Sequence, residues 1–116
     1  MEREARNITT TIPGGSALSA VIDATWAAAQ GLIAPATLDA TTRIAFKVAE
    51  KPDGAFLPLT DEYNLLVEVT VTLNAARAYA LPDKLFAWSY FKLWAEASGS
   101  DVIQTADRTF IISQKS

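Results

Sequence analysis

The chain has 116 residues, half of them hydrophobic and a fifth charged, with a formal net charge of −3 and neither cysteine nor histidine. That length suits one domain around one core, and the acidic balance with scattered Lys and Arg argues against nucleic acid and against a basic membrane-binding patch. Lacking Cys and His, the chain has no disulfide, no thiolate metal site, and neither the commonest metal ligand nor the commonest general base at neutral pH.

So apolar a composition in so small a protein implies either a very full core or apolar surface covered by a partner. Residues 1–6 alternate charges without an apolar anchor and read as a mobile arm ahead of a single domain, 7–116. This start lacks the apolar stretch of a signal peptide, and no run is long enough to cross a bilayer. The chain is therefore expected to be made and folded in the cytoplasm. Ile8 to Ile12 is β-branched throughout and stops at the turn signal Pro13-Gly14-Gly15. Leu18, Ala20 and Ile22 alternate with Ser19, Val21 and Asp23, which predicts a second strand. Residues 24–30 are ambiguous, tolerating a helical turn but too short for a stable helix alone, with Trp26 assigned to the core, and Gly31 to Ala34 reads as a short buried strand closed by Pro35.

Thr42 to Ala49 is a clean strand, with Ile44, Phe46 and Val48 facing the core and Arg43 and Lys47 facing out. Lys51-Pro52-Asp53-Gly54 predicts a tight turn with Gly54 at a positive-φ position, and Phe56 to Leu59 returns as an edge strand because of Pro58. The longest alternating run, Leu65 to Leu73, has room to bend or divide partway. A turn near Asn74-Ala75-Ala76 leads to a strand from Arg77 to Leu81, followed by a loop with one helical turn through Phe86. The strand Trp88 to Glu96 ends at Ser98-Gly99-Ser100, and Asp107 to Ser113 makes the last strand. About eight strands with turn signals at this spacing, and no long helical pattern, predict an all-β fold, an antiparallel β-sandwich.

Catalytic patterns are thin. No Ser-x-x-Lys motif opens a helix, and Asp61-Glu62, being adjacent, would point to opposite faces of a strand, the wrong geometry for a carboxylate pair. Asp53, Asp61 and Glu62 sit in or near turns where calcium could be held, but a turn-shaping Asp53 and a solvated Asp61-Glu62 explain them better. Gly14-Gly15 joins two β-like segments and so is no phosphate loop. Neither a cofactor nor a catalytic residue is expected.

The strand at 88–96 carries the main functional signal. Alternation puts Ser89, Phe91, Leu93 and Ala95 on one face and Trp88, Tyr90, Lys92, Trp94 and Glu96 on the other. The row Trp88, Tyr90, Lys92, Trp94 reads as a partner interface. Covering each aromatic is worth roughly 1.5–3 kcal/mol by area, so three together would hold a protein. The same row also suits a sugar-stacking platform, and a shift of register would instead carry Trp88 or Trp94 into the core.

Three segments resemble a known family. FKVAEKPDGAFLPLTDE (46–62) is similar to F-x-V-S-x-D-G-x-x-F-x-x-L-x-D, YFKLWAEASG (90–99) to Y-L-K-L-R-S-G, and QTADRTFIISQKS (104–116) to Q-x-A-D-R-T-I-T-L-V-L-K. Together they resemble small virion structural proteins encoded among the head and tail genes of tailed bacteriophages, with the ADRT stretch the most telling. The resemblance implies a jelly-roll or galactose-binding-like sandwich without enzymatic activity, placed on the virion after synthesis in the host bacterial cytoplasm. Its implied role is head decoration or cement, or a minor tail or connector component. A decoration protein of this kind would form a homo-oligomer, a trimer being the expected form, and bind the major capsid protein or another virion protein. The rival is a carbohydrate-binding or adhesion module on a tail or head spike. Trp94 departs from the family pattern, which has a basic residue there. Asp107 and Arg108 match it, and are expected to pair locally and hold the entry to the last strand.

Overall fold

The computed structural model describes residues 5–73 and 75–116. It contains ten strands: β1 (Ala5–Ile12), β2 (Ile22–Asp23), β3 (Ala29–Ala34), β4 (Arg43–Ala49), β5 (Leu57–Pro58), β6 (Glu68–Val69), β7 (Arg77–Ala80), β8 (Tyr90–Ala97), β9 (Ser100–Asp101) and β10 (Arg108–Lys115). A single 3-10 helix, Asp83–Ala87, precedes β8. The protein is all-β, two antiparallel sheets packed face to face in a β-sandwich. One sheet has the order β1-β10-β3-β7; the other has β2-β8-β4-β5, with β6 also pairing β4 and β9 pairing β8.

The alternation read in the sequence places the core. Ile44 and Phe46 from β4, Phe91, Leu93 and Ala95 from β8, and Phe110 and Ile112 from β10 are all fully buried between the sheets. Phe46 and Phe91 meet edge to face at 6.0 Å, the ring arrangement an aromatic quadrupole prefers. Complete burial of side chains this size contributes roughly 1.5–3 kcal/mol each.

Several boundaries differ from expectation for local reasons. Ala5 and Arg6, counted in the arm, begin β1, because register with Lys115 and Gln114 extends the ladder that far; residues 1–4 of the arm lie outside the described residues. Only Ile22 and Asp23 of the segment 18–23 form a strand. The rest runs beside β8 through separate bonds from Ser19 N–H to Leu93 O and from Ala95 N–H to Ala17 O. The run 65–73 divides, leaving Glu68–Val69 as its two-residue strand. Gly54 closes its turn by donating to Lys51 O at 3.1 Å. Positive φ is found instead at Gly15 and Gly99, so Gly54 is used at the fourth turn position, where no left-handed conformation is needed. Asn74 lies outside the described residues.

The motif QTADRT proves to be a clasp between three loops. Gln104, fully buried, donates from Nε2 to Thr42 Oγ1 and Val102 O (both 3.1 Å), and its Oε1 accepts from Asp39 N–H (3.1 Å) and Arg108 Nε (3.3 Å). Every polar atom of this buried amide is satisfied, so it joins the loops without a desolvation penalty. Asp107 and Arg108 do not pair with each other as expected. Asp107 accepts from Gly14 N–H at 2.8 Å, fixing the first turn, while Arg108 bridges to Asp39 at 2.8 Å. Adjacent residues on a strand point to opposite sides, which is why their partners differ.

Candidate functional site

The expected interface residues do not form one exposed row. Trp94 is buried, 4% exposed, with its indole N–H donating to Asp101 Oδ1 at 2.7 Å, Leu18 bridged alongside and the Lys47 ammonium 4.6 Å from its ring centroid. This corrects the reading of Trp94 as a free contact residue: the neighbouring chain covers it. Tyr90 and Lys92 are half-buried on the same face of β8. Lys92 sits directly opposite Lys47 across the β4–β8 ladder, and the two like charges part by turning to different rings, Lys92 to Phe56 at 4.7 Å and Lys47 to Trp94.

Trp88 stands where the 3-10 helix ends. It is half-buried against the core and walls a groove of about 450 Å³ shared with Val48, Leu57, Pro58 and Thr60, and with Glu50 and Lys51 at its rim. Its surroundings therefore differ from those of Trp94.

Farther along β8, Glu96 is fully buried, and its cross-strand neighbour is Arg43. Burial, followed by the adjacent Glu68 carboxyl, pushes the Glu96 carboxyl up to about 7. Glu68 moves the other way: the neighbouring Glu96 carboxyl, ready to donate, and then Arg43, 2.9 Å distant, hold it below the usual range. The outer face of this sheet thus carries charge, and the chain satisfies or covers most of it internally.

The outer face of the β1-β10-β3-β7 sheet is different. Its register sets four rows across the strands: Thr11–Thr109, then Thr9–Ile111–Ile33–Ala78, then Asn7–Ser113–Gly31–Ala80, and Ala5–Lys115–Ala29. Lys115, in the middle of the last row and at the end of its strand, is the only charged residue among them. Ile33 is 43% exposed, and no described segment lies across the face. Sequence reading passed over this surface because its residues are small or β-branched and look like ordinary strand formers. The available signal was the charge-free alternation Thr9, Thr11 and Thr109, Ile111, Ser113, whose meaning depends on four strands lying side by side.

Polar groups elsewhere serve the fold. Asp61 accepts from the N–H groups of Tyr63 and Leu65, which hold its carboxyl below the usual range, the Leu65 bond most strongly. Among the described residues no three His, Cys, Asp or Glu side chains are grouped to hold a metal ion. No described helix is long and apolar enough to cross a membrane. Compared with protein-family models, curated proteins and solved structures, the chain matches none.

Proposed function

We propose that this chain is a noncatalytic structural protein of a tailed-bacteriophage virion, a capsid decoration or cement protein that self-associates and binds the major capsid protein or another virion protein. The observation that carries the reading is the nearly charge-free outer face of the β1-β10-β3-β7 sheet. A charged partner would have to bury its charges there without counterions, whereas a second neutral, flat face meets this one at little desolvation cost. Strands about 4.8 Å apart and up to eight residues long make a patch on the order of 500 Å². That lies below the ~800 Å² that each partner contributes to a standard interface, so single contacts are weak. A weak contact suits a protein displayed in many copies, where a particle surface supplies the effective concentration. The similarity of segments 46–62, 90–99 and 104–116 to phage virion proteins supports the setting.

Sedimentation of the purified chain tests the self-association: an oligomer is expected for the wild type and a monomer for Ile33→Glu and Ile111→Glu. Mass spectrometry of purified phage particles tests the location. A wild-type chain that stays monomeric at high concentration and is missing from particles overturns the proposal.

The groove beside Trp88 favours a second reading, a carbohydrate-binding module. At about 450 Å³, with an aromatic wall and Glu50, Lys51 and Thr60 nearby, it has the size and mixed lining of a small-ligand site. Trp94 drops out of that reading because it is buried. Glycan binding lost in Trp88→Ser, with oligomerisation unchanged, distinguishes the module from the assembly protein.

A further inference from the structure

The charge-bearing sheet holds two neighbouring carboxyls, one fully buried and one half-buried, that the assembly reading does not use. Glu96 is fully buried, and neither of its oxygens has a hydrogen-bond donor among the described residues. The charged groups around it come from three strands. Arg43 on β4 turns to Glu68 at 2.9 Å, Glu68 comes from β6, and Asp101 on β9 is engaged by the Trp94 indole at 2.7 Å. The Arg43 guanidinium favours ionised Glu96, but less strongly than burial and the Glu68 carboxyl oppose it.

Two ionised carboxyls offer each other only acceptors, whereas a single proton converts their repulsion into a hydrogen bond. The edge elements that carry and flank them are weakly anchored. β6 pairs with β4 over two residues and β9 with β8 over two, while Leu66 packs toward the turn near enough that a Cβ on Gly99 would lie 3.9 Å from its Cδ1. Short ladders of this kind belong to the low-stability end of a fold and open locally.

We propose that Glu96 and Glu68 share one proton that fastens β6 and the β8–β9 turn at the two sides of the β4–β8 ladder, and that its loss releases them and uncovers Trp94. The face on which the sequence first placed a partner contact is then closed or opened by pH.

Carboxyl ¹³C shifts of the full chain, recorded across pH 4–9, are expected to show Glu96 titrating near 7. Over the same range, amide exchange of residues 97–101, corrected for its intrinsic pH dependence, is expected to accelerate about tenfold or more. Glu96→Gln, which keeps the volume and adds a permanent donor, should hold the turn protected throughout. Glu68→Gln supplies a permanent donor opposite Glu96 and should move the Glu96 titration to lower pH while keeping the turn protected; it serves as the test if Glu96→Gln does not fold. Glu96 titrating in the ordinary carboxylate range, an unchanged exchange rate, or a transition that survives Glu96→Gln overturns the clasp.

Discussion

The two outer faces of this sandwich are built on opposite principles. The β4–β8 face carries Arg43, Lys47, Lys92, Glu68 and Glu96, and it is largely finished: ion pair, ring contacts and neighbouring segments occupy its groups. The β1–β10–β3–β7 face carries threonine, alanine, isoleucine, serine, glycine and one asparagine, with Lys115 its single charge, and nothing described lies over it. Aromatic content is therefore a poor guide to which side meets a partner. Trp94 is conspicuous in the sequence, yet it acts as internal cover, while the plain residues present the available surface. Large apolar side chains are as useful for closing a fold as for opening a contact, and only burial separates the two uses.

The sharpest way to break this contrast is to remove the cover. Trp94→Ala deletes a buried ring together with its bond to Asp101, and is expected to cost about 3–5 kcal/mol in denaturant unfolding. A loss below about 1 kcal/mol would mean that the ring is dispensable to the fold and would restore it as a contact residue.

The next effect depends on pH. Because the folded-state value for Glu96 is raised to about 7 from 4.5, the folded chain holds a proton that the unfolded chain releases between those values. Its stabilisation is fully present below pH 4.5 and is lost as the pH rises through 7. Glu68, held below its usual range by the same contact, works in the opposite sense, so the net loss is smaller than Glu96 alone would give. Denaturant midpoints from pH 5 to 8.5 should fall for the wild type and stay nearly level for Glu96→Gln.

A smaller change is expected at the loop clasp. Arg108→Ala removes the bridge to Asp39 and one contact to Gln104, and the measured loss of stability should stay below that of Trp94→Ala. Arg108, ahead of the Thr105 N–H, holds the Asp39 carboxyl below its usual range, so this contribution is present above the ordinary aspartate range and fades as the pH falls through the lowered value. The difference between wild type and variant should shrink in acid.

Ile33→Glu should have the smallest effect on folding, within about 0.5 kcal/mol, because the side chain faces outward from β3. Unchanged unfolding with lost self-association would sharpen the contrast between the faces. A large destabilisation would mean that the plain face is part of the fold after all.

How much was legible varied with the range of the interaction. The inner faces of β4 and β8 could be read directly, because alternate residues point the same way in any strand. The turn at 51–54, the edge character of Pro58 and the helical turn after Leu81 were also readable, since proline and aspartate act on their immediate neighbours. Arg108 was harder. Its motif marked it as structural, but the partner is Asp39, 69 residues away, and adjacency suggested Asp107 instead. Glu96 gave no signal at all, for a glutamate at an outward strand position normally sits in water.

The amino-acid sequence by itself determined an all-β chain, its main strands and the side chains between its sheets, because those follow from the two-residue period and from turn residues acting locally. Tertiary structure alone decided which outer face is covered. Trp94 is buried by Asp101, Lys47 and Leu18, three residues from three separate segments, and Glu96 is brought to the same face as Glu68 by the register of β8 and β6 on β4. Whether a side chain meets solvent depends on what the rest of the chain lays over it, and no local pattern carries that information.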